Sequence, residues 1–517
     1  MRMPRSLLPA LALTLLSACT MGPDFHSPKA WWNPTSWNYG GKEPTAASRP
    51  VTAPVDPAWW TVFQDPLLAK LEDRLAIANL DVRVASIRLA EARIAVGVTA
   101  AAGLPAINAN ASYAREQASA RGAMSLAGSP SAAATANGLA NPQNGAEAKN
   151  SSLFSPYDLY QYGFDATWEL DLWGRVRRSV ESARATVSAT ADTRRDVLLT
   201  AMAELARDYI ALRGTQRVEQ ITSDNLHTAR QSLKLTRERA AGGLTTDLDV
   251  ANAAAQVAST AAQLPELQAR EAQLVNAISL LLGAPPAALS GELAAAAPVP
   301  PVPSEVPVGL PADLLRRRPD IRRAEAQLHA ATADIGVAVA DFFPRITLSG
   351  SVAVQGLQFA NLADWGHAAT YAVGPSISLP IFEGGRLKRV LELRKEQQKE
   401  AVVLYQRTVL GALHEVDNAL TQYDAEQHRR EQLREAAAQD RKALDLARAQ
   451  YQQGVIDFLQ VLDVERNLLA VEQQLADSTT AVSTDLVQIY KALGGGWETS
   501  FPAATTARAP APAPIKS

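Results

Sequence analysis

The 517-residue chain holds 50 Lys and Arg against 53 Asp and Glu, a formal net charge of −3. The basic residues are scattered and form no stripe, which argues against nucleic acid as a partner. Beyond the N-terminal segment no stretch approaches about eighteen uninterrupted strongly apolar residues, so a helical membrane protein is excluded; a β-barrel is not, because its signal per strand is much weaker.

The chain opens with Arg2 and Arg5, followed by a mostly apolar run over residues 7–16 that Pro9 and Thr14 interrupt. That run is too short to cross a bilayer and reads as a targeting segment, residues 1–18. Cys19 is the only cysteine and follows Leu16-Ser17-Ala18, so it can form no internal disulfide. The arrangement resembles the lipobox of bacterial lipoproteins, whose cysteine is lipidated and becomes the first mature residue. The alternative is an ordinary signal peptide with an incidental cysteine. A single acyl chain binds membranes only marginally. The lipoprotein resemblance meets that need by implying N-acyl and S-diacylglycerol groups on Cys19, and no other cofactor.

A lipidated N-terminal linker is expected over residues 19–65. A helix over residues 66–102 opens the first repeat, residues 66–283. Its strands are expected at about 104–116 and 157–170, separated by an exposed loop at 117–152 whose Ala, Gly, Ser and Asn cannot bury much apolar surface. Between Arg175 and Ala241 there is no proline and one glycine, Gly214, in a stretch rich in good helix formers. At 1.5 Å per residue such a helix extends roughly 100 Å. It ends at Gly242-Gly243-Leu244-Thr245-Thr246, where glycine terminates the incoming helix and Thr246 can cap the outgoing one. The returning helix runs to Leu282 and is expected to bend at Pro265.

A linker rich in Pro and Ala, residues 284–318, leads to the second repeat, residues 319–494. It repeats the plan: a helix over residues 320–341, strands at about 344–356 and 370–382, and a long helix between Arg386 and Gln453 with no proline and only Gly411. The turn is Gly454-Val455-Ile456-Asp457, with Asp457 as the candidate cap, and the last helix reaches Leu493. The tail is residues 495–517, with 501–517 expected to be disordered.

The two halves are one pattern written twice. Leu80-Asp81-Val82-Arg83, Val96-Gly97-Val98 and Leu104-Pro105-Ala106-Ile107 recur 239 residues later as Pro319-Asp320-Ile321-Arg322, Ile335-Gly336-Val337 and Phe343-Pro344-Arg345-Ile346. Leu172-Trp173-Gly174-Arg175 then matches Glu383-Gly384-Gly385-Arg386 at a spacing of 211, as do Gly243 with Gly454 and Leu282-Gly283 with Leu493-Gly494. The one change of spacing places the insertion between the strands of the first half.

The strands alternate. Tyr160, Tyr162, Phe164, Ala166, Trp168 and Leu170 fall on one face, with Gln161, Gly163, Asp165, Thr167 and Glu169 on the other. Strands of about ten residues suit a tilted membrane crossing. Four of them cannot close a barrel, and open edges are not tolerated in lipid, so closure requires several copies of the chain. The six histidines lie in no ligand-like spacing, and Gly336-Val337-Ala338-Val339 lacks the glycines of a dinucleotide loop. No catalytic or metal site is expected, and a cell-envelope enzyme is a remote alternative.

Several motifs then carry a family resemblance: Cys19-Thr20-Met21-Gly22-Pro23-Asp24-Phe25, Trp59-Trp60 with Phe63 and Asp65-Pro66-Leu67, Trp168-Glu169-Leu170-Asp171-Leu172-Trp173-Gly174-Arg175, Arg317-Arg318-Pro319-Asp320-Ile321, and Tyr490-Lys491-Ala492-Leu493-Gly494-Gly495-Gly496-Trp497. Together they resemble the outer-membrane efflux proteins of the TolC and OprM type, in their lipoprotein (NodT-type) branch. The resemblance implies a membrane β-barrel plus a long α-helical barrel, formed by a homotrimer with four strands per chain and twelve in all. It also implies a periplasmic membrane-fusion adaptor and an inner-membrane transporter of the RND class as partners, and the lipid bilayer of the outer membrane as the setting. The expected activity is passive conduction of drugs or other solutes to the exterior. A duct for protein secretion or metal export is the alternative. The hairpin tips Gly243, Leu244, Thr245 and Gly454, Val455, Ile456 are the expected adaptor-docking ends. Asp463 and Arg466 share a helix face and match the family's periplasmic constriction, where they are expected to form the gate. Their first-half counterparts are Asn252 and Ala255, so this pair is not an echo of the repeat.

Overall fold

The structure is a computed structural model that describes residues 20–28, 37, 48–117 and 156–501. Cys19 and residues 118–152 of the expected loop lie outside the described residues. The chain divides into two compact units. The first draws on Met1–Asp24, Ala95–Ala183 and Thr332–Glu396, and the second on Phe25–Ile94, Arg184–Ala331 and Gln397–Ser517.

The first unit is organised by an antiparallel sheet of four strands: β2 (Ala106–Glu116), β3 (Tyr157–Leu170), β5 (Arg345–Gly356) and β6 (Ala369–Ser378), in the order β2-β3-β5-β6. Residues paired across strands share a face. The register aligns Ile107 with Ala166, Phe164 with Val352, Trp168 with Leu348, and Ile346 with Ile377. One residue out of step, Asn108 aligns with Asp165, Asp165 with Ser351, Thr167 with Ser349, and Thr347 with Ser376. One face is therefore apolar and the other wet, as the alternation predicts. The apolar face is uncovered in the single chain: Ile107 is 71% exposed and Val373 81%. Among the described residues β2 and β6 each have only one neighbour.

Aromatic residues mark both ends of the apolar face. Tyr113 lies 5.0 Å from Tyr160, which meets Phe359 at 5.8 Å. Eight residues further along β3, Trp168 donates from its indole nitrogen to Gly103 O at 2.9 Å. At ~3.3 Å per residue the two aromatic levels are separated by ~26 Å along the strand, or ~20 Å along the axis of a barrel whose strands tilt by ~40°, within the ~25 Å apolar band of such barrels. The fourth strand ends at Ser378 and not near residue 382. Leu379 lies at the open edge, and Ile381 and Phe382 are 84% and 88% exposed with no strand beside them to continue the ladder.

The second unit is helical, and residues 95–101, 175–183, 332–340 and 386–396 of the helices described next belong to the first unit. The expected first helix is two helices, α1 (Pro66–Ala78) and α2 (Leu80–Ala101), because Asn79 adopts an extended conformation between them. Asn79 Oδ1 accepts from Val82 N at 3.0 Å, and its amide donates to Leu281 O at 2.8 Å. The residue thus caps α2 and ties it to the returning helix. Asp65 caps α1 through Leu67 N and Leu68 N, and its second oxygen accepts from Tyr209 Oη at 2.7 Å.

The long helices are α3 (Arg175–Ala241) and α6 (Arg386–Gln452), and the returning ones are α4 (Asp247–Leu281) and α7 (Phe458–Leu493). Pro265 lies inside α4. Helix α5 (Pro319–Ala340) begins one residue earlier than expected. The expected linkers contribute to the core: β1 (Arg49–Val51) pairs in parallel with β4 (Glu305–Pro307), while Leu289, Leu293, Val306 and Leu314 are buried. The Arg-Arg-Pro-Asp motif has a direct reason. Arg318 donates to Ala492 O at 2.7 Å and pairs with Glu415 at 2.8 Å and Asp320 at 2.8 Å, joining the start of α5 to the end of α7.

Candidate functional site: the hairpin tips and the expected gate

Both long helices close in the same way. Gly243 N donates to Ala240 O and Leu244 N to Arg239 O, each at 2.9 Å, with Gly243 at φ +73°. In the second repeat Gly454 N donates to Tyr451 O and Val455 N to Gln450 O, each at 2.9 Å, with Gly454 at φ +78°. A glycine in the left-handed region with these reversed hydrogen bonds satisfies the last helical carbonyls. The outgoing helices differ. Thr246 forms a capping box with Asp249, whereas Asp457 occupies the cap position of α7 without a side-chain hydrogen bond. The Thr245 hydroxyl, and after it the bonds from Thr246, hold the Asp249 carboxyl below its usual range against the opposing effect of burial.

Leu244 is 70% exposed and Val455 67%. Ile456, expected at the docking end with them, is instead half-buried against a cluster that includes Tyr451, Phe458 and Val461. The two tips are joined by Arg239. Its guanidinium donates to Tyr451 O at 2.9 Å and Gln452 O at 3.3 Å, and lies 4.6 Å over the Tyr451 ring. A cation at a helix C-terminus favours the end of the helix dipole.

Asp463 and Arg466 are both exposed, and they do not pair with each other in the single chain. Arg466 Nε donates to Gln256 Oε1 at 2.8 Å on α4, while Asp463 makes no ion pair among the described residues. Between them in the chain sits Glu465, to which the sequence pattern assigned no role. Glu465 is 6% exposed, and its Oε1 accepts from Ser232 Oγ at 2.7 Å and from Arg448 Nη2 at 3.0 Å. One carboxylate thus joins α3, α6 and α7. A signal was available: Leu462, Glu465 and Leu469 fall at helical spacing on the apolar stripe, where an unpaired acid is costly.

Three further acids on the helices of this unit are pushed up. Burial, then the charge of Glu204, raises Asp208 to about 6. Burial, then Glu426, raises Asp485 to about 6. Glu72 is held well above its usual range by complete burial and then by Asp73, and neither of its oxygens has a hydrogen-bond partner among the described residues. A carboxyl whose folded pKa exceeds its unfolded value binds a proton more tightly in the fold. Its stabilising effect is complete below the ordinary carboxylate range and is lost as pH rises through the folded value. The melting temperature should therefore fall by on the order of a few degrees between pH 5 and pH 7.5. Asp208→Asn combined with Asp485→Asn should flatten that slope, measured by circular dichroism across the pH series.

The chain matches the outer membrane efflux protein family over residues 71–284 and 310–495. It is 32% identical over 506 residues to the antibiotic efflux pump outer membrane protein ArpC of Pseudomonas putida, spanning 96% of each chain. It is 30% identical over 499 residues to nodulation protein T of Rhizobium leguminosarum bv. trifolii, spanning 96% of this chain and 98% of that one. Among solved structures, the outer-membrane channel OprN shares 33% identity at a TM-score of 0.81, covering 93% of this chain and 100% of that chain. The two sequence repeats, the wet-and-apolar sheet and the glycine-closed helical hairpins are thus those of a known kind of channel, and the chain belongs to the outer membrane efflux protein family.

Proposed function

We propose that three copies of this chain form the outer-membrane duct of a tripartite efflux system. The duct receives solutes from a periplasmic adaptor and an inner-membrane transporter of the RND class. The open four-stranded sheet carries the reading: a membrane sheet with an apolar face and two unpaired edges is stable only when copies close it into a barrel. Three copies give twelve strands, within the range of such barrels. The name of the ArpC relative favours antibiotics among the solutes. Exposed Leu244 and Val455, on backbones opened by glycine, supply apolar contact for the adaptor together with Gly243, Thr245, Gly454 and Ile456.

The gate is assigned to Asp463 and Arg466. Three Asp463 carboxylates brought towards one axis repel, and the assembled channel compensates them by Arg466, a cation of an adjoining copy, hydrogen bonds or a bound cation, since among the described residues of one chain Asp463 has no ion pair. Asp463→Ala should raise single-channel conductance in planar bilayers, and adding Arg466→Ala should contribute less than its separate effect. Unchanged conductance in a normally assembled channel sinks the gate. A chain that conducts in no state sinks the duct.

Cys19 is assigned as the lipidated mature terminus, an anchor secondary to the barrel itself. Cells expressing Cys19→Ala should show no palmitate incorporation into the protein while retaining it in the outer membrane. Palmitate labelling that persists in the variant excludes this residue as the anchor.

A further inference from the structure

Residues 20–24 lie as a strap on the first unit. Met21 N donates to Trp173 O at 3.1 Å. Arg178, whose side chain is 4% exposed, donates from Nε to Met21 O at 3.2 Å and from Nη2 to Asp24 Oδ1 at 2.6 Å, and pairs with Glu181 at 2.8 Å. Glycines allow the strap to lie backbone against backbone. A Cβ on Gly22 would stand 2.5 Å from Gly336 Cα, and one on Gly174 would stand 2.9 Å from Thr20 Cγ2. The groove is therefore Gly174, Arg178 and Glu181 at the start of α3, with Gly336 on α5.

The repeat writes this set a second time. Displaced by 211 residues, Gly174, Arg178 and Glu181 become Gly385, Arg389 and Glu392; displaced by 239, Gly336 answers to Gly97. All four residue types are kept. Nothing lies within 4 Å of a Cβ built on Gly385 or Gly97, and Arg389 is 82% exposed and pairs with Glu392 at 2.7 Å. A glycine inside a helix costs about 0.5–1 kcal/mol relative to alanine. At Gly336 the close approach of the strap requires it. At Gly97 nothing among the described residues does.

Sheet topology says what would bring the second set together. α3 leaves β3 and α5 enters β5, and those strands are neighbours. α6 leaves β6 and α2 enters β2, which are the two open edges. They meet when β6 of one copy pairs with β2 of the next. Carrying the β3–β5 register through the repeat sets Ile377 against Ala111 and Leu379 against Ala109 on the apolar face. It sets Ser376 against Ser112 and Ser378 against Asn110 on the wet face. Both faces match.

We infer that each junction between copies forms a second strap groove, from Gly385, Arg389 and Glu392 of one copy and Gly97 of the adjoining copy, which binds an extended acidic peptide segment of a partner protein. The inference rests on the oligomeric closure proposed above. In the occupied groove the strap offers the arginine the backbone carbonyls of Met21 and Gly22 and the Asp24 carboxylate, beside the groove's own Glu181, and the glycines admit a flat main chain. A phosphate headgroup would give Gly97 no purpose. Among the described residues each chain has one such strap, already seated in its own groove, so the occupant of the second is sought in another protein.

The probe is a labelled octapeptide copying residues 20–27, Thr-Met-Gly-Pro-Asp-Phe-His-Ser. It is titrated by fluorescence anisotropy into full-length channel shown by native mass spectrometry to be oligomeric. One saturable site per chain is expected. Arg389→Glu, Gly97→Leu, or asparagine for the peptide's aspartate should each weaken binding about tenfold or more, as loss of a charge-assisted contact or of the close approach predicts. Arg178→Glu should leave this binding in place. No saturable binding to the verified oligomer overturns the inference. So does binding that Arg178→Glu abolishes and Arg389→Glu does not, which is strap exchange in the first groove. Arg389-dependent binding of phosphatidylglycerol micelles without peptide binding also overturns it, in favour of a lipid site. A chain that remains monomeric removes the oligomeric reading before the peptide is added.

Discussion

Alanine in place of Glu465 should destabilise the helical hairpins and, in the assembled channel, raise its conductance. The carboxylate is the shared acceptor of Ser232 on α3 and Arg448 on α6. Removing one partner of a buried charge pair typically costs about 3–5 kcal/mol, because the other charge is left uncompensated. Here the cost should lie towards the lower end of that range, since Arg448 is 34% exposed and keeps access to water. Glu465→Gln should be milder, as an amide oxygen can still accept from Ser232 while the charge is lost. Denaturant unfolding of the purified protein and planar-bilayer recording separate this residue from the proposed gate. Asp463 is exposed and unpaired among the described residues of its own chain, so Asp463→Ala should change conductance with little change in stability. If Glu465→Ala unfolds at the same denaturant concentration as the parent chain, its three-helix junction is not a stabilising element.

Trp59→Ala should be at least as severe for stability, with no direct effect on conduction. Trp59 is fully buried, stacked on Tyr490 at 5.6 Å and edge-on to Trp60 at 5.8 Å. Its indole nitrogen has no hydrogen-bond partner among the described residues, so the loss is one of packing alone. Truncating a buried tryptophan to alanine costs about 3–5 kcal/mol. The ring also fills space against the chain after α7, where a Cβ on Gly496 would come within 2.7 Å of Trp59 Nε1. The expected result is a sharp fall in the yield of assembled channel and faster trypsin cleavage. Trp59→Phe should recover much of the yield. Equal yields of the parent and Trp59→Ala would show that this cluster is not limiting for the fold.

Much of this was legible without coordinates because it depends on short-range rules. Period-two alternation needs only that one face meets an apolar medium, and the register keeps Phe164 with Val352 and Asp165 with Ser351. Gly243 and Gly454 ended their helices because a left-handed residue closes the hydrogen-bond ladder at little cost. The break at Asn79 was missed, because an asparagine inside a helical pattern does not by itself end a helix, and the bonds that make it a cap, to Val82 N and Leu281 O, are fixed by packing. What the sequence could not supply was the choice of partner. It grouped Asp463 with Arg466 by spacing, whereas packing gives Arg466 to Gln256 and makes the intervening Glu465 the acceptor for two other helices.

By itself, then, the sequence determined the elements and their repetition, because helix periodicity, strand alternation and glycine turns act over a few residues. Only the tertiary structure decided which charges are buried together, where the last strand stops, and that residues 20–24 lie against Gly174, Arg178 and Gly336. Each of those depends on a neighbour hundreds of residues away in the chain, or on an edge that the single chain cannot close.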